Sequence, residues 1–185
     1  NNEEMRAFAM DLIRKSARQA SAKLQFARLA FGAAGSAGAS IDLGDAETVA
    51  KGFMAGEKAT LKWTATRVLM PKNLVKLLLN LILIAGHAIP RGGVIEVVVT
   101  GQAEAPTFTL TCAGLNARIP ANVAGFLAGD SGDHVPDAHM IQPIYAGLLA
   151  RAAGMTTSVT KDGDTVVFLA TPKAVATDDT SAAPV

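Results

Sequence analysis

The chain has 185 residues, 50% of them apolar, with a formal net charge of +1 and a single cysteine. It is long enough for a real core, too apolar for a disordered chain, and too near neutral for a general nucleic-acid binder. One cysteine, Cys112, excludes an internal disulfide. No secretory leader pattern and no membrane span are visible, so the cytoplasm is the default expectation.

Glu3–Ala34 predicts one long helix. Met5, Phe8, Leu12, Ile13, Ala17, Ala20, Leu24, Ala27 and Phe31 recur at steps of three and four. Asn2 suits the cap, and Glu3 and Glu4 suit the positive end of the helix dipole. A length of about thirty residues far exceeds the usual mean of ~11–12. Such a helix cannot bury its stripe alone, and no second helix of that length is predicted. Its partner is expected from a preceding segment, a second subunit, or both. The basic residues Arg14, Lys15, Arg18, Lys23 and Arg28 follow in the middle and later half. The plainer reading of that run is a solvated face. The functional reading is a docking face for an acidic partner.

A Gly/Ala-rich stretch from Gly32 marks a boundary. After it come a helix over Asp45–Ala55 and a strand over Lys58–Thr66. Pro71–His87 then predicts a buried helix of ~25 Å, apolar on every side, with Pro71 in its first turn and Pro90 stopping it. Its uninterrupted apolar part, Leu77–Ala85, is too short for the ~20 residues a bilayer needs, and it contains Asn80. Strands are predicted at Val94–Thr100 and, after a break at Pro106, at Thr107–Cys112. Ile119–Leu127 and Asp137–Ala153 read as helices around a loop at Gly129–Asp133. Thr156–Thr160 and Thr165–Ala170 flank a hairpin turn at Lys161–Asp164. From Pro172 the pattern is lost, as in a disordered tail. The order predicts an α+β sandwich, with helices on one face of a mixed sheet.

Among residues that could carry chemistry, His87 ends the central helix, and His134 and His139 stand five apart near Asp130, Asp133 and Asp137. A metal pair there lacks the three or four ligands of a zinc site, so a solvated loop and helix cap is the better reading. Asp130, Ser131 and His134 lack any nucleophile motif. Trp63 and Cys112 read as core residues of strands.

The run LLLNLILIAGHAIPRGG resembles the N-box region of the GHKL (Bergerat) ATPase fold of sensor histidine kinases. Asn80, Leu81, Ala85, Pro90, Gly92 and Gly93 occupy the framework positions. The asparagine that holds the magnesium of ATP in that family falls on Ile84, which has no oxygen to offer. The stretch Leu110–Pro120 resembles the family's adenine-binding box and its trailing Ile-Pro, yet it has no Asp and keeps only Gly114. At the second glycine-rich box Gly147-Leu148 persists, but Gln142 and Pro143 replace flexible glycines. The resemblance therefore implies a degenerate nucleotide site near Asn80, Ile84, Gly114 and Gln142, with neither ATP nor metal bound.

A long helix followed by such a fold is similar, more specifically, to the alphaproteobacterial histidine phosphotransferases. The segments SARQASAKLQFARLAFGAAGS (Ser16–Ser36) and KLLLNLILIAGHAIPRGG (Lys76–Gly93) carry that likeness. It implies that residues 1–36 form the second helix of a dimerisation and phosphotransfer domain, residues 41–171 a degenerate ATP-binding-like domain, and residues 172–185 the tail. It implies a homodimer whose helical hairpins make a four-helix bundle. The phospho-accepting histidine of the family lies in an H-D-L-x-S-P motif, absent here and expected upstream of Asn1, so no catalytic residue falls in this chain. The implied partners are the receiver domain of a CckA-like hybrid histidine kinase and the CtrA- and CpdR-like response-regulator receivers of cell-cycle control. The receivers supply Mg²⁺, and neither nucleic acid nor membrane is involved. Arg14, Arg18 and Arg118 are the implied receiver-docking residues. The alternatives are an ATP-dependent kinase or ATPase of the same fold, or a non-catalytic dimeric scaffold.

Overall fold

The structure, a computed structural model, describes residues 2–32, 39–130, 138 and 140–174. Its elements are α1 (Asn2–Phe31), β1 (Ser40–Asp42), α2 (Leu43–Met54), β2 (Ala59–Thr64), β3 (Leu69–Pro71), α3 (Lys72–Ala88), β4 (Gly93–Gln102), β5 (Ala105–Ala113), α4 (Val123–Ala128), α5 (Ile141–Ala152), β6 (Met155–Asp162) and β7 (Thr165–Pro172). Five strands form one sheet in the order β2-β4-β5-β7-β6. β2 runs parallel to β4, and the other pairs are antiparallel. The architecture is the α+β class expected, with a mixed sheet and a long N-terminal helix.

One face of the sheet is apolar by strict alternation. Ile95 and Val97, Phe108, Leu110 and Cys112, and Val166, Phe168 and Ala170 are all buried. α3 lies in that core, with twelve of its seventeen residues buried, as its all-round apolar sequence requires. The turn after α3 depends on glycine. Gly92 has φ +90° and Gly93 φ +142°, and a Cβ on Gly93 would stand 2.2 Å from the carbonyl oxygen of Ala113. The opposite face carries a threonine-rich surface, including Thr60, Thr109, Thr111 and Thr160, beside Val98 and Leu169.

α1 is of two kinds. Residues 2–18 are exposed throughout, and Met5, Phe8, Leu12 and Ile13 are each more than half exposed. Its last turns dock on the body, with Phe26 and Ala30 fully buried. At the start of α2 the Asp42 carboxylate accepts from the Gly44 N–H at 2.7 Å and pairs with Arg67 at 2.9 Å. The Arg67 guanidinium holds the Asp42 carboxyl below its usual range. Among the described residues no helix is long and apolar enough to cross a membrane.

Four local readings need correction. The three-residue strands β1 and β3, which pair with each other, are too short to show a period. Pro71 closes β3 and stands as the N-cap of α3, not inside its first turn. Pro106 does not break the ladder; it lies in β5 opposite Gly101. β7 pairs with β5 only from Phe108 onward, so one side of Pro106 needs no N–H. The helix expected from Ile119 starts only at Val123, after Asn122 in the left-handed region at φ 61°. The expected loop at 131–133, the start of the helix expected from Asp137, and the tail beyond residue 174 lie outside the described residues.

Candidate functional site

A cleft of about 1270 Å³ opens between the ends of α2 and α3, the segment before α4, and α5. Its floor is apolar, made by Ile82 and Ile84 of α3, Ile89 and Pro90 of the following turn, and Phe126 of α4. One wall is the end of α2, with Phe53, Met54 and Glu57. The other is the segment Arg118–Val123, and Gln142 and Pro143 of α5 close the far end. Lys58, His87 and Arg118 are exposed cations or imidazoles at its rim. The Arg118 backbone N–H donates to the Ala88 carbonyl at 2.9 Å, which ties this segment to the end of α3.

The residues singled out from sequence take distinct places. Ile84, Arg118 and Gln142 meet in the cleft. Ile84 is 1% exposed and presents only carbon, at the position that the resemblance assigns to the family's metal ligand. Asn80 lies one turn earlier, fully buried behind the lining. Its Nδ2 donates to the Ala30 carbonyl at 3.1 Å and the Lys76 carbonyl at 2.7 Å, and its Oδ1 accepts from Gln142 Nε2. Gly114 is a packing glycine: a Cβ there would meet the Gly92 carbonyl oxygen at 2.4 Å. Gly147 is another, since its Cβ would meet the Phe126 oxygen at 2.3 Å. These glycines let backbones approach each other closely.

Arg14 and Arg18 are exposed on α1, one turn apart, and do not line the cleft. The helix nonetheless reaches the cleft wall further on. Lys23 pairs with Glu57 at 3.3 Å and lies 5.9 Å from the Phe53 ring centroid. Phe31 packs on Tyr145 of α5 at 5.9 Å between centroids.

His134 and His139 fall outside the described residues, as do Asp133 and Asp137. Among the described residues no group of three His, Cys, Asp or Glu could hold a metal. Cys112 is buried in β5, and burial pushes its thiol up to about 12, so it has no thiolate character at neutral pH. Sequence reasoning missed the Asn80–Gln142 link, which joins residues 62 apart, and a local pattern carries no such signal. It also missed the Asp42 cap, although an Asp directly before an apolar helical run is a readable start signal.

Comparison with known proteins narrows what such a cleft belongs to. A family described as the histidine phosphotransferase C-terminal domain matches residues 43–165. Protein phosphotransferase ChpT of Brucella abortus (strain 2308) is 49% identical over 162 residues, which cover 88% of this chain and 78% of that protein. A solved bacterial phosphotransferase superposes with a TM-score of 0.80 at 46% identity, covering 89% of this chain and 78% of that one. The histidine kinase domain of the blue-light-activated kinase from Erythrobacter litoralis EL346 superposes at 0.56 with 18% identity, over 93% of this chain and 88% of that one. That last likeness concerns the fold alone.

Proposed function

The chain belongs to the histidine phosphotransferase family, and we propose that it relays phosphoryl groups between receiver domains through a histidine, without using a nucleotide. Protein phosphotransferase activity is the function of its curated relative. The observation that carries the nucleotide-free part is the cleft itself. It is lined by Ile84, Gln142 and Pro143, the residues that the family resemblance sets at the positions of a metal ligand and a phosphate loop.

The chemistry asks little of such a protein. A receiver's aspartyl phosphate meets an imidazole on the bundle. The ring nitrogen's lone pair forms a P–N bond as the P–O bond breaks, and the carboxylate leaves with the electron pair. The reverse step passes the group to the next receiver. Mg²⁺ and the acidic cluster belong to the receiver, so this chain needs no metal of its own. What remains is positioning and electrostatics.

In this reading the exposed stripe of α1 is covered by a second copy and a preceding helix in a four-helix bundle, with the reactive histidine on that helix. Arg14, Arg18 and Arg118 meet the acidic rim of the receiver. The resemblance names a CckA-like receiver as donor and CtrA- and CpdR-like receivers as acceptors, in the cytoplasm and in cell-cycle control. Transfer of label from a phosphorylated receiver to the full-length protein, without ATP, tests the proposal. Labelling by ATP alone, or no labelling at all, contradicts it.

A further inference from the structure

We infer that the Asn80–Gln142 amide pair is a positioning device that fixes the angle of α1 against the cleft; its role in transfer rests on the relay proposed above. Asn80 joins three helices through one side chain. It caps the Ala30 carbonyl at the end of α1, accepts from Gln142 at the start of α5, and donates back to Lys76 within α3. The last carbonyls of a helix have no intrahelical partner, so Ala30 needs such a donor when buried. Asn80 is 0% exposed, among the fully buried Leu77, Leu81 and Ile84.

An amide in that setting is a poor choice for stability alone. Desolvating it cancels most of what its hydrogen bonds return, and an apolar side chain would fill the space as well. What hydrogen bonds add is direction. Other contacts of α1 include a ring stack, a half-exposed ion pair and a tilted ring contact, at Phe26–Phe53, Lys23–Glu57 and Phe31–Tyr145. None of these fixes rotation or slide as an amide with three partners does.

The geometry amplifies small errors. Ala30 lies four residues beyond Phe26, or about 6 Å along the axis, and Arg14 lies twelve residues before it, or about 18 Å. If α1 pivots at the Phe26–Phe53 stack, a slip of about 1 Å at Ala30 becomes about 3 Å at Arg14. Misplacement of about 1 Å can cost on the order of a hundredfold in a positioned reaction. Gln142 also lines the cleft beside which Arg118 stands. The same pair thus holds the bundle helix and the cleft in one relative orientation toward a partner that touches both.

The test measures orientation and transfer separately, on the full-length protein. Spin labels go on Asp11→Cys of α1 and Lys62→Cys of β2, both exposed positions. Cys112 is buried and stays unlabelled. Labelled protein is diluted in excess unlabelled protein, so that only distances within one chain are read. We expect one narrow distribution in the parent protein and a broad or shifted one with Gln142→Met. With Asn80→Leu plus Gln142→Leu, thermal stability returns toward the parent value while the distribution stays broad. Transfer from a phosphorylated receiver falls on the order of a hundredfold in kcat, more than any accompanying rise in KM. Gln142→Met, at the cleft lip, keeps the test open if the double variant does not fold. A narrow parent-like distribution in the variants overturns the inference, as does a KM rise at constant kcat, which would make Gln142 a direct contact. A parent protein that transfers nothing refutes the relay, and the distances still decide the clamp.

Discussion

Phe26 of α1 stacks on Phe53 of α2, with 4.3 Å between ring centroids and 29° between planes, and Phe53 is also a wall of the cleft. The helix α1 and the cleft therefore share one wall. Under the proposed relay, a partner that engages α1 stands beside the cleft.

Phe26 is 1% exposed, so its removal leaves a hole at that shared wall. Phe26→Ala is expected to cost on the order of 3–5 kcal/mol. Urea denaturation followed by circular dichroism measures it; a loss below about 1 kcal/mol would mean that α1 is not anchored there.

The stripe of Met5, Phe8, Leu12 and Ile13 stays exposed among the described residues. The account expects the full-length protein to dimerise through it. Light scattering should give twice the chain mass, and Leu12→Asp should shift the population toward monomer. A monomeric parent protein at tens of micromolar would refute the bundle.

By the family resemblance, Ile84 is one of three separate departures from a nucleotide site. Restoring one oxygen does not restore the site, because the adenine acceptor and the phosphate loop stay absent. Calorimetric titration with Mg-ATP is expected to show no binding for the parent protein or for Ile84→Asn. Micromolar affinity in the parent protein would reinstate the ATP-dependent reading.

Arg14, Arg18 and Arg118 are solvent-exposed, so reversing their charge should leave the fold intact. Arg14→Glu, Arg18→Glu or Arg118→Glu is expected to slow association with a receiver about tenfold at low salt. The effect should shrink at 0.5 M salt, as screening shortens the reach of surface charge. Parent-like rates at low salt in all three variants would return these residues to the solvated face.

Much of this fold is legible in the chain because its signals are periodic. The threefold and fourfold steps of α1 encode a helix, although the face it buries here carries Phe26 and Ala30 and not that stripe, whereas the all-round apolar α3 and the alternation of β4, β5 and β7 each encode an element and its burial. β1 and β3, three residues long, carry no period, and they exist because pairing and the Asp42–Arg67 contact hold them. Pro106 reads as a breaker only if both sides of its strand need hydrogen bonds, and the staggered end of β7 removes that need. At the site, Ile84 and Gln142 are visible as departures from a motif. What joins Gln142 to Asn80, and Asn80 to Ala30, is long-range geometry that no local pattern contains.

The most direct test of the relay is a label-transfer experiment on the full-length protein. A receiver carrying radiolabelled aspartyl phosphate is mixed with the protein, with no nucleotide present, and a second receiver is added later. The account predicts acid-labile label on the protein within the first incubation, then on the second receiver, and none when labelled ATP is the donor. Label that comes from ATP, or label that never leaves the first receiver, would contradict it.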